Sequence, residues 1–97
     1  MKKDPIGSYG TDLKREVRRY PCAPHLAEGR LVTVLVRGAK FSLRCRNGRL
    51  ALYAQNKPLG VLVGRLIPLG TPPEKRTKRA RKLIRRLAKE IAKEVYR

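Results

Sequence analysis

The chemistry available to this sequence lies mainly in cationic side chains near its end. Between Lys75 and Arg97 there are eleven Lys and Arg but only two Glu, so most of these cations have no acidic neighbour along the chain. Guanidinium and ammonium groups form charge-assisted hydrogen bonds with phosphate oxygens. The sequence therefore predicts a surface that binds a polymer of phosphates. Its predicted contact residues are Lys75, Arg76, Lys78, Arg79, Arg81, Lys82, Arg85, Arg86 and Lys89.

Two further groups of basic residues could extend this surface. Arginine predominates in both, and its planar guanidinium suits bidentate contact with phosphate and stacking on bases. Tyr53 is the aromatic residue among them, and it could stack on a base or be an ordinary exposed strand residue. The first group comprises Arg44, Arg46, Arg49 and Tyr53, and the second comprises Lys14, Arg15, Arg18 and Arg19.

The overall composition points to the same kind of partner. The 97 residues include 25 Lys and Arg against 7 Asp and Glu, which gives a formal net charge of +18 at pH 7. Such a charge opposes folding by self-repulsion unless counterions or a polyanion neutralise it. Hydrophobic residues nevertheless make up 41% of the chain, which separates it from basic disordered tails and predicts a folded core.

Residues for catalysis or cofactor binding are scarce. The sequence has a single His, no glycine-rich phosphate-binding motif and no pair of carboxylates spaced for acid–base chemistry. We therefore expect no enzyme activity, no cofactor and no small-molecule substrate. A zinc site on Cys22 and His25 would need Cys45 and a fourth ligand, so two buried thiols are favoured over a metal. A Cys22–Cys45 bridge is the alternative if the source is a hyperthermophile.

A long C-terminal helix is predicted to carry the main basic cluster. Thr71-Pro72-Pro73-Glu74 fits a capping box with Thr71 as the N-cap, and a helix from there to Tyr96 would be about 37 Å long. Cations crowd its first turns, where the helix dipole disfavours them, so phosphates near this end would relieve both the dipole conflict and the repulsion. Apolar residues at helical spacing form a stripe on one face. They are Ala80, Leu83, Ile84, Leu87, Ala88, Ile91 and Val95.

The rest of the chain divides into an arm and a small globular domain. Residues 1–10 contain Pro5, Gly7 and Gly10, and they predict a flexible arm. Residues 11–70 predict one domain, and the helix over 71–97 follows it. Within the domain, residues 30–67 predict about four antiparallel strands, in a small sheet or a partly open barrel. The predicted fold class is therefore α+β.

A short helix is predicted at the start of this domain. Leu13, Val17 and Tyr20 fall at helical spacing, so residues 11–20 would place them on one face. Pro21 cannot continue a helix, and it marks the predicted end.

The strands are predicted from their apolar patterns. Leu31–Val36 is β-branched and almost wholly apolar, as expected for a strand that is covered on both faces. Residues 40–46 alternate between apolar and polar, and Asn47-Gly48 favours a two-residue hairpin turn. Leu59–Ile67 is predicted to form a fourth strand, in which two glycines would allow curvature.

The hairpin turn also fixes which residues of the two flanking strands lie opposite one another, and this pairing can be checked against their apolar or basic character. It places apolar residues of the two strands on one face, and basic and aromatic residues on the other. The basic face would then carry the strand group defined above. The predicted apolar pairs are Cys45 with Leu50, Leu43 with Leu52, and Phe41 with Ala54.

The layout of the chain resembles a known class of proteins. A compact β core, abundant Arg, Val and Leu, and the tail Thr71-Pro72-Pro73-Glu74-Lys75-Arg76-Thr77-Lys78-Arg79-Ala80-Arg81-Lys82 look like small ribosomal proteins of hyperthermophilic archaea. The resemblance covers composition and layout. It implies ribosomal RNA as the partner, neighbouring ribosomal proteins, a role in translation and a cytoplasmic location on the ribosome.

Two other classes of function remain open at this stage. An archaeal chromatin or DNA-architectural protein would share the charge and the small β core. A basic amphipathic helix could also lie on anionic lipid or dock on a partner protein. However, no apolar stretch reaches the roughly 18 to 20 residues of a membrane span, and the first residues lack the apolar core of a signal peptide. We therefore expect an intracellular protein with no membrane partner.

Overall fold

The structure is a computed structural model that describes residues 5–97. Its elements are α1 (Pro5–Val17), β1 (Leu31–Val36), β2 (Ala39–Arg46), β3 (Arg49–Tyr53), α2 (Asn56–Leu66) and α3 (Pro73–Tyr96). This architecture confirms the α+β class and the long C-terminal helix. The sheet is open and has three strands, so the prediction of about four strands over 30–67 is wrong in number.

The sheet is an antiparallel meander in the order β1-β2-β3, joined by two tight hairpins. Arg37 and Gly38 form the first turn and Asn47 and Gly48 form the second, and all four residues have positive φ. Turns of this kind match the right-handed twist of the paired strands. The carboxylate of Glu28 accepts a hydrogen bond from the backbone N–H of Asn47 at 3.0 Å, which holds the second turn in place.

The predicted register of the second hairpin is confirmed. Apolar side chains of β2 and β3 lie on a buried face, and the basic residues lie on the opposite face. β3 ends at Tyr53, so the predicted pair of Phe41 with Ala54 lies beyond the paired residues. The confirmed apolar pairs are Cys45 with Leu50 and Leu43 with Leu52.

β1 is covered on one face, and the prediction that both faces are covered is wrong. Val36 is buried, whereas Leu31 is 50% exposed and Leu35 is 61% exposed. Successive strand residues point to opposite faces, so the alternation shows that one face of β1 is open. The hydroxyls of Thr33 and Ser42 lie 3.3 Å apart across β1 and β2 on this open face.

The segment predicted to be a fourth strand is the helix α2. Its apolar residues Leu59, Leu62, Val63 and Leu66 recur at steps of three and four, which is the spacing of one helix face. Pro58 lies in the first turn, where a missing backbone N–H leaves no helical hydrogen bond unmade. The helical period therefore outweighs the strand preference that the Val and Gly residues suggested.

α1 includes much of the segment predicted to be a flexible arm. It begins at Pro5, and proline suits a first helical position because its φ is already near the helical value. Tyr9 and Gly10 are buried within it. Residues 1–4 of the predicted arm lie outside the described residues.

α1 also ends earlier than predicted, at Val17 rather than near Tyr20. Beyond this point the backbone hydrogen bonds change from the helical span of four residues to a span of three. The N–H of Arg19 bonds to the carbonyl of Glu16, and the N–H of Tyr20 bonds to that of Val17, each spanning three residues instead of four. Such bonds are typical of a helix end that narrows into a tighter turn.

α3 begins at Pro73, with Pro72 as its N-cap, and the predicted capping box does not form. The hydroxyl of Thr71 instead donates a hydrogen bond to the carbonyl of Pro68 at 2.6 Å, which places Thr71 in the preceding turn. The predicted apolar stripe is confirmed, with Leu83 half-buried at its margin. The buried residues of α3 are Ala80, Ile84, Leu87, Ala88, Ile91, Ala92 and Val95.

The helices cover one face of the sheet, and all six elements contribute to one core. α1 packs closely against α2, and α3 packs against α1, α2 and β1. The outer face of the sheet carries no helix. Within the described part of the chain, no helix combines the length and the apolarity needed to cross a membrane.

A Cys22–Cys45 disulfide ties the connector after α1 to β2, so the expectation of two buried thiols is wrong. The connector runs beside the second hairpin, because the N–H of Cys22 bonds to the carbonyl of Gly48 and the N–H of Leu50 bonds to that of Tyr20. This pairing brings the two sulfur atoms together. It also means that neither cysteine has a thiolate available to bind a metal.

Tyr96 attaches the C-terminal part of α3 to the same connector. Its hydroxyl donates a hydrogen bond to the carbonyl of Pro21 at 2.8 Å. Burial raises the pKa of this phenol, so it remains a hydrogen-bond donor through the neutral range.

Candidate nucleic-acid interface

The solvent face of α3 carries the main basic cluster. All nine of its predicted contact residues are exposed except Arg76, which is half-buried. Lys78, Lys82 and Lys89 recur at helical spacing and lie on the side of α3 that is opposite the buried stripe. The structure therefore brings these side chains onto one continuous cationic surface, which we call the helix surface.

No cation between Lys75 and Lys89 forms a salt bridge with any carboxylate of the described chain. The four ion pairs among the described residues involve other arginines. Glu74 is the acidic residue in the first turn of α3, and the buried stripe begins after it, at Ala80. The helix surface is thus a row of cations that form no direct ion pair within the described residues, and its partial compensation comes from Glu90 near Arg86 and from Asp12 and Glu16 beside Arg81 and Arg85. The four pairs are Arg15 with Asp12, Arg19 with Glu16, Arg37 with Glu90, and Arg97 with Glu94.

Glu90 forms its ion pair across the fold rather than along α3. Arg86 lies one helical turn before Glu90, but both oxygens of Glu90 accept hydrogen bonds from Arg37, at 2.9 and 2.7 Å. These bonds lower the pKa of the Glu90 carboxyl and raise that of Arg37. The pair fixes the first hairpin turn to α3, and it leaves Arg86 available to an external partner.

The outer face of the sheet forms a second basic surface, which we call the sheet surface. The guanidinium of Arg44 lies 5.0 Å from the ring centre of Tyr53, within the range of a cation–π contact. Arg46 donates a hydrogen bond to the hydroxyl of Tyr53 at 3.1 Å. The Tyr53 ring is 37% exposed, so it is accessible while two arginines hold it.

A groove of about 710 Å³ runs along the outer edge of β3, which pairs with the connector only at its start, and beside α1. It joins two groups that are predicted separately from the sequence, since Lys14 of α1 and Arg18, just beyond the end of α1, line the groove together with Arg46, Arg49 and Tyr53. Asn47 and Gln55 also line the groove and add uncharged polar groups. Sequence reasoning missed these two residues, because turn and loop positions carry no periodic signal.

Arg15 and Arg19 do not join this groove. Each forms an ion pair with a carboxylate of α1 three residues earlier, Arg15 with Asp12 at 3.4 Å and Arg19 with Glu16 at 3.5 Å. Asp12, Arg15 and Glu16 instead line a shallow depression at the contact with α3, together with Arg81, Ile84 and Arg85. Two carboxylates therefore interrupt the positive surface between the groove and the helix surface.

Metal-binding chemistry has little support in the described residues. They contain no group of three or more His, Cys, Asp and Glu side chains placed to hold a metal ion. His25 is exposed in the connector.

Comparison with known proteins identifies no relative. No protein-family model, no curated protein and no solved structure matches this chain significantly.

Proposed function

We propose that this protein binds RNA as a structural component of the ribosome, with ribosomal RNA phosphates contacting the helix surface and the sheet surface. The observation that carries the proposal is the row of α3 cations that lack a carboxylate partner in the described chain. A neutralising polymer must come from outside, and phosphate backbones supply regularly spaced negative charge.

RNA is favoured over DNA by the chemistry of the sheet surface. Proteins that recognise RNA often stack aromatic and arginine side chains on bases in loops and single strands. Tyr53 is held by Arg44 and Arg46 in an accessible position that suits such stacking. The layout resemblance to small archaeal ribosomal proteins supports the same choice, and it also favours neighbouring ribosomal proteins as further contacts.

Charge reversal tests the helix surface directly. The variant Arg79→Glu/Lys82→Glu changes two exposed cations of α3, and Lys57→Glu/Arg65→Glu changes two exposed cations of α2 that lie outside both surfaces. Both variants lower the net charge equally. We expect the α3 variant to reduce co-sedimentation with ribosomal subunits much more than the α2 variant.

Salt provides the second measurement in the same assay. A protein that neutralises about six to ten phosphates loses roughly a thousandfold to a hundred-thousandfold in affinity between 50 and 200 mM salt. We expect wild-type protein to leave the subunits over this range, with a shallower dependence for the α3 variant. Equal losses in the α2 and α3 variants would contradict a specific role for the helix surface. Stronger binding to duplex DNA than to ribosomal RNA at equal salt would favour the DNA-architectural alternative.

A further inference from the structure

The two basic surfaces lie on opposite sides of the molecule. The buried stripe of α3 faces the body of the fold, and the Arg37–Glu90 pair holds α3 beneath the first hairpin. Lys82 and Lys89 therefore point away from the sheet. Arg44 and Tyr53 project from the outer face of the sheet, on the other side of the core.

The cationic surface is not continuous between these two sides along α1. Asp12 and Glu16 lie in the depression between α1 and α3 and neutralise Arg15 and Arg19. A phosphate backbone that follows the groove past Lys14 would meet two carboxylates before it reached α3. This arrangement suits two separate nucleic-acid segments better than one segment that wraps around the domain.

The sheet surface has the features of a site for an unpaired strand. A stacking platform needs a base that is free of its own duplex, and Tyr53 offers one accessible ring. The groove beside it supplies Lys14, Arg18 and Arg49 for the phosphates on either side of a stacked base.

We infer that the sheet surface binds an unpaired RNA segment while the helix surface, whose nine predicted contacts are all Lys and Arg, holds a separate segment through its phosphates, so that one protein molecule joins two parts of an RNA. This inference rests on the proposed RNA-binding function and deepens it, because it assigns base stacking to one surface and phosphate contact to the other.

A bridging assay tests the inference. A 20-base-pair RNA duplex is immobilised, the full-length protein is added below the duplex concentration, and retention of a fluorescent 12-nucleotide oligouridine is measured at low salt. Affinities for each RNA alone are measured in parallel. The variants are Tyr53→Ser, which removes the ring, and Tyr53→Phe, which keeps it. The exposure of Tyr53 makes both compatible with folding, and circular dichroism verifies this.

Wild-type protein and Tyr53→Phe should retain the oligouridine on the duplex. Tyr53→Ser should weaken oligouridine binding by roughly 5- to 150-fold, the range expected for one lost stacking contact, and leave duplex affinity unchanged. The inference is overturned if oligouridine displaces the protein from the duplex, or if Tyr53→Ser retains oligouridine as wild type does. In both of those cases the proposed function survives, because the protein still binds RNA. Failure to bind either RNA at low salt would overturn the proposed function as well.

Discussion

Gly10 determines how closely α1 and α2 can approach one another. A Cβ atom built on Gly10 would lie 1.9 Å from the backbone oxygen of Asn56, far inside van der Waals contact. Because the clashing atom belongs to the backbone, the helix start itself would have to move. A glycine that composition suggests is part of a flexible arm is therefore a packing residue.

We predict that Gly10→Ala destabilises the protein and that Gly64→Ala does not. The first change should cost about 1 to 3 kcal/mol or more through overpacking. The second places a methyl group in open space within α2, so the higher helix propensity of Ala should stabilise by about 0.5 to 1 kcal/mol. Urea denaturation of both variants measures the difference. Similar stability changes in the two variants would contradict the close helix contact.

The Arg37–Glu90 pair gives a pH-dependent contribution to stability. The pKa of Glu90 is lowered in the folded state, so its contribution is present above the ordinary glutamate pKa and is lost as pH falls through the folded value. Arg37 stays charged throughout. The two side chains are about one-third exposed, so the pair should contribute about 1 kcal/mol or less.

We therefore predict that Glu90→Gln lowers stability at pH 7, and that the difference from wild type disappears in acid. The matched change Glu94→Gln removes an i, i+3 pair with Arg97 whose closest contact is longer, at 3.4 Å, and its effect should be smaller. Thermal unfolding across the acid and neutral range makes the comparison. A Glu90→Gln effect that is constant with pH would show that the lost ion pair is not its cause.

The elements show which sequence signals decide local structure and which do not. Asn47-Gly48 predicted its hairpin and register because two positive φ values are a local requirement. Leu59–Ile67 was predicted as a strand although its apolar residues recur at helical spacing, since Gly and Val within a short apolar run satisfy both patterns. The open face of β1 was not predictable, because the sequence does not say how many faces the helices will cover.

The disulfide is the element-scale feature with the largest expected effect on stability. It closes a loop between residues 23 positions apart, which by loop entropy stabilises the folded state by about 3 kcal/mol. We predict that reduction of wild-type protein lowers the melting temperature by roughly 10 °C or more, since each kcal/mol shifts a domain of this size by about 4 to 8 °C. The double variant Cys22→Ala/Cys45→Ala should melt at a lower temperature than wild type and should not respond to reductant. An unchanged melting temperature after complete reduction would contradict a stabilising bridge.

At the scale of the whole molecule, the net charge of +18 makes stability depend on ionic strength. Raising NaCl from about 10 mM to about 100 mM shortens the screening length from about 30 Å to about 10 Å. We predict that the melting temperature of the free protein rises over this range, because screening weakens self-repulsion. The rise should be smaller in Arg79→Glu/Lys82→Glu. A melting temperature that falls with salt would mean that attractive ion pairs outweigh repulsion.

The candidate site was predictable as three groups of residues but not as an arrangement. Cationic residues at helical or strand spacing identified α3, α1 and the outer face of the sheet. Lys14 and Arg18 line one groove with residues of β3. This arrangement depends on how α1 packs, which only the tertiary structure specifies. Arg15 and Arg19 differ, because their partners Asp12 and Glu16 lie three residues earlier in the chain, a spacing that the sequence already shows.

The uneven burial of α3 also determines where a protease would act. Its buried stripe starts at Ala80, so the first two turns lack tertiary support and expose Lys75, Lys78 and Arg79. Trypsin cuts after such residues, and locally opened, exposed backbone is where it cuts first. A nick there would leave the later turns of α3 docked by their apolar side chains. Bound RNA would shield the same peptide bonds, so the rate of cleavage in these turns reports occupancy of the helix surface.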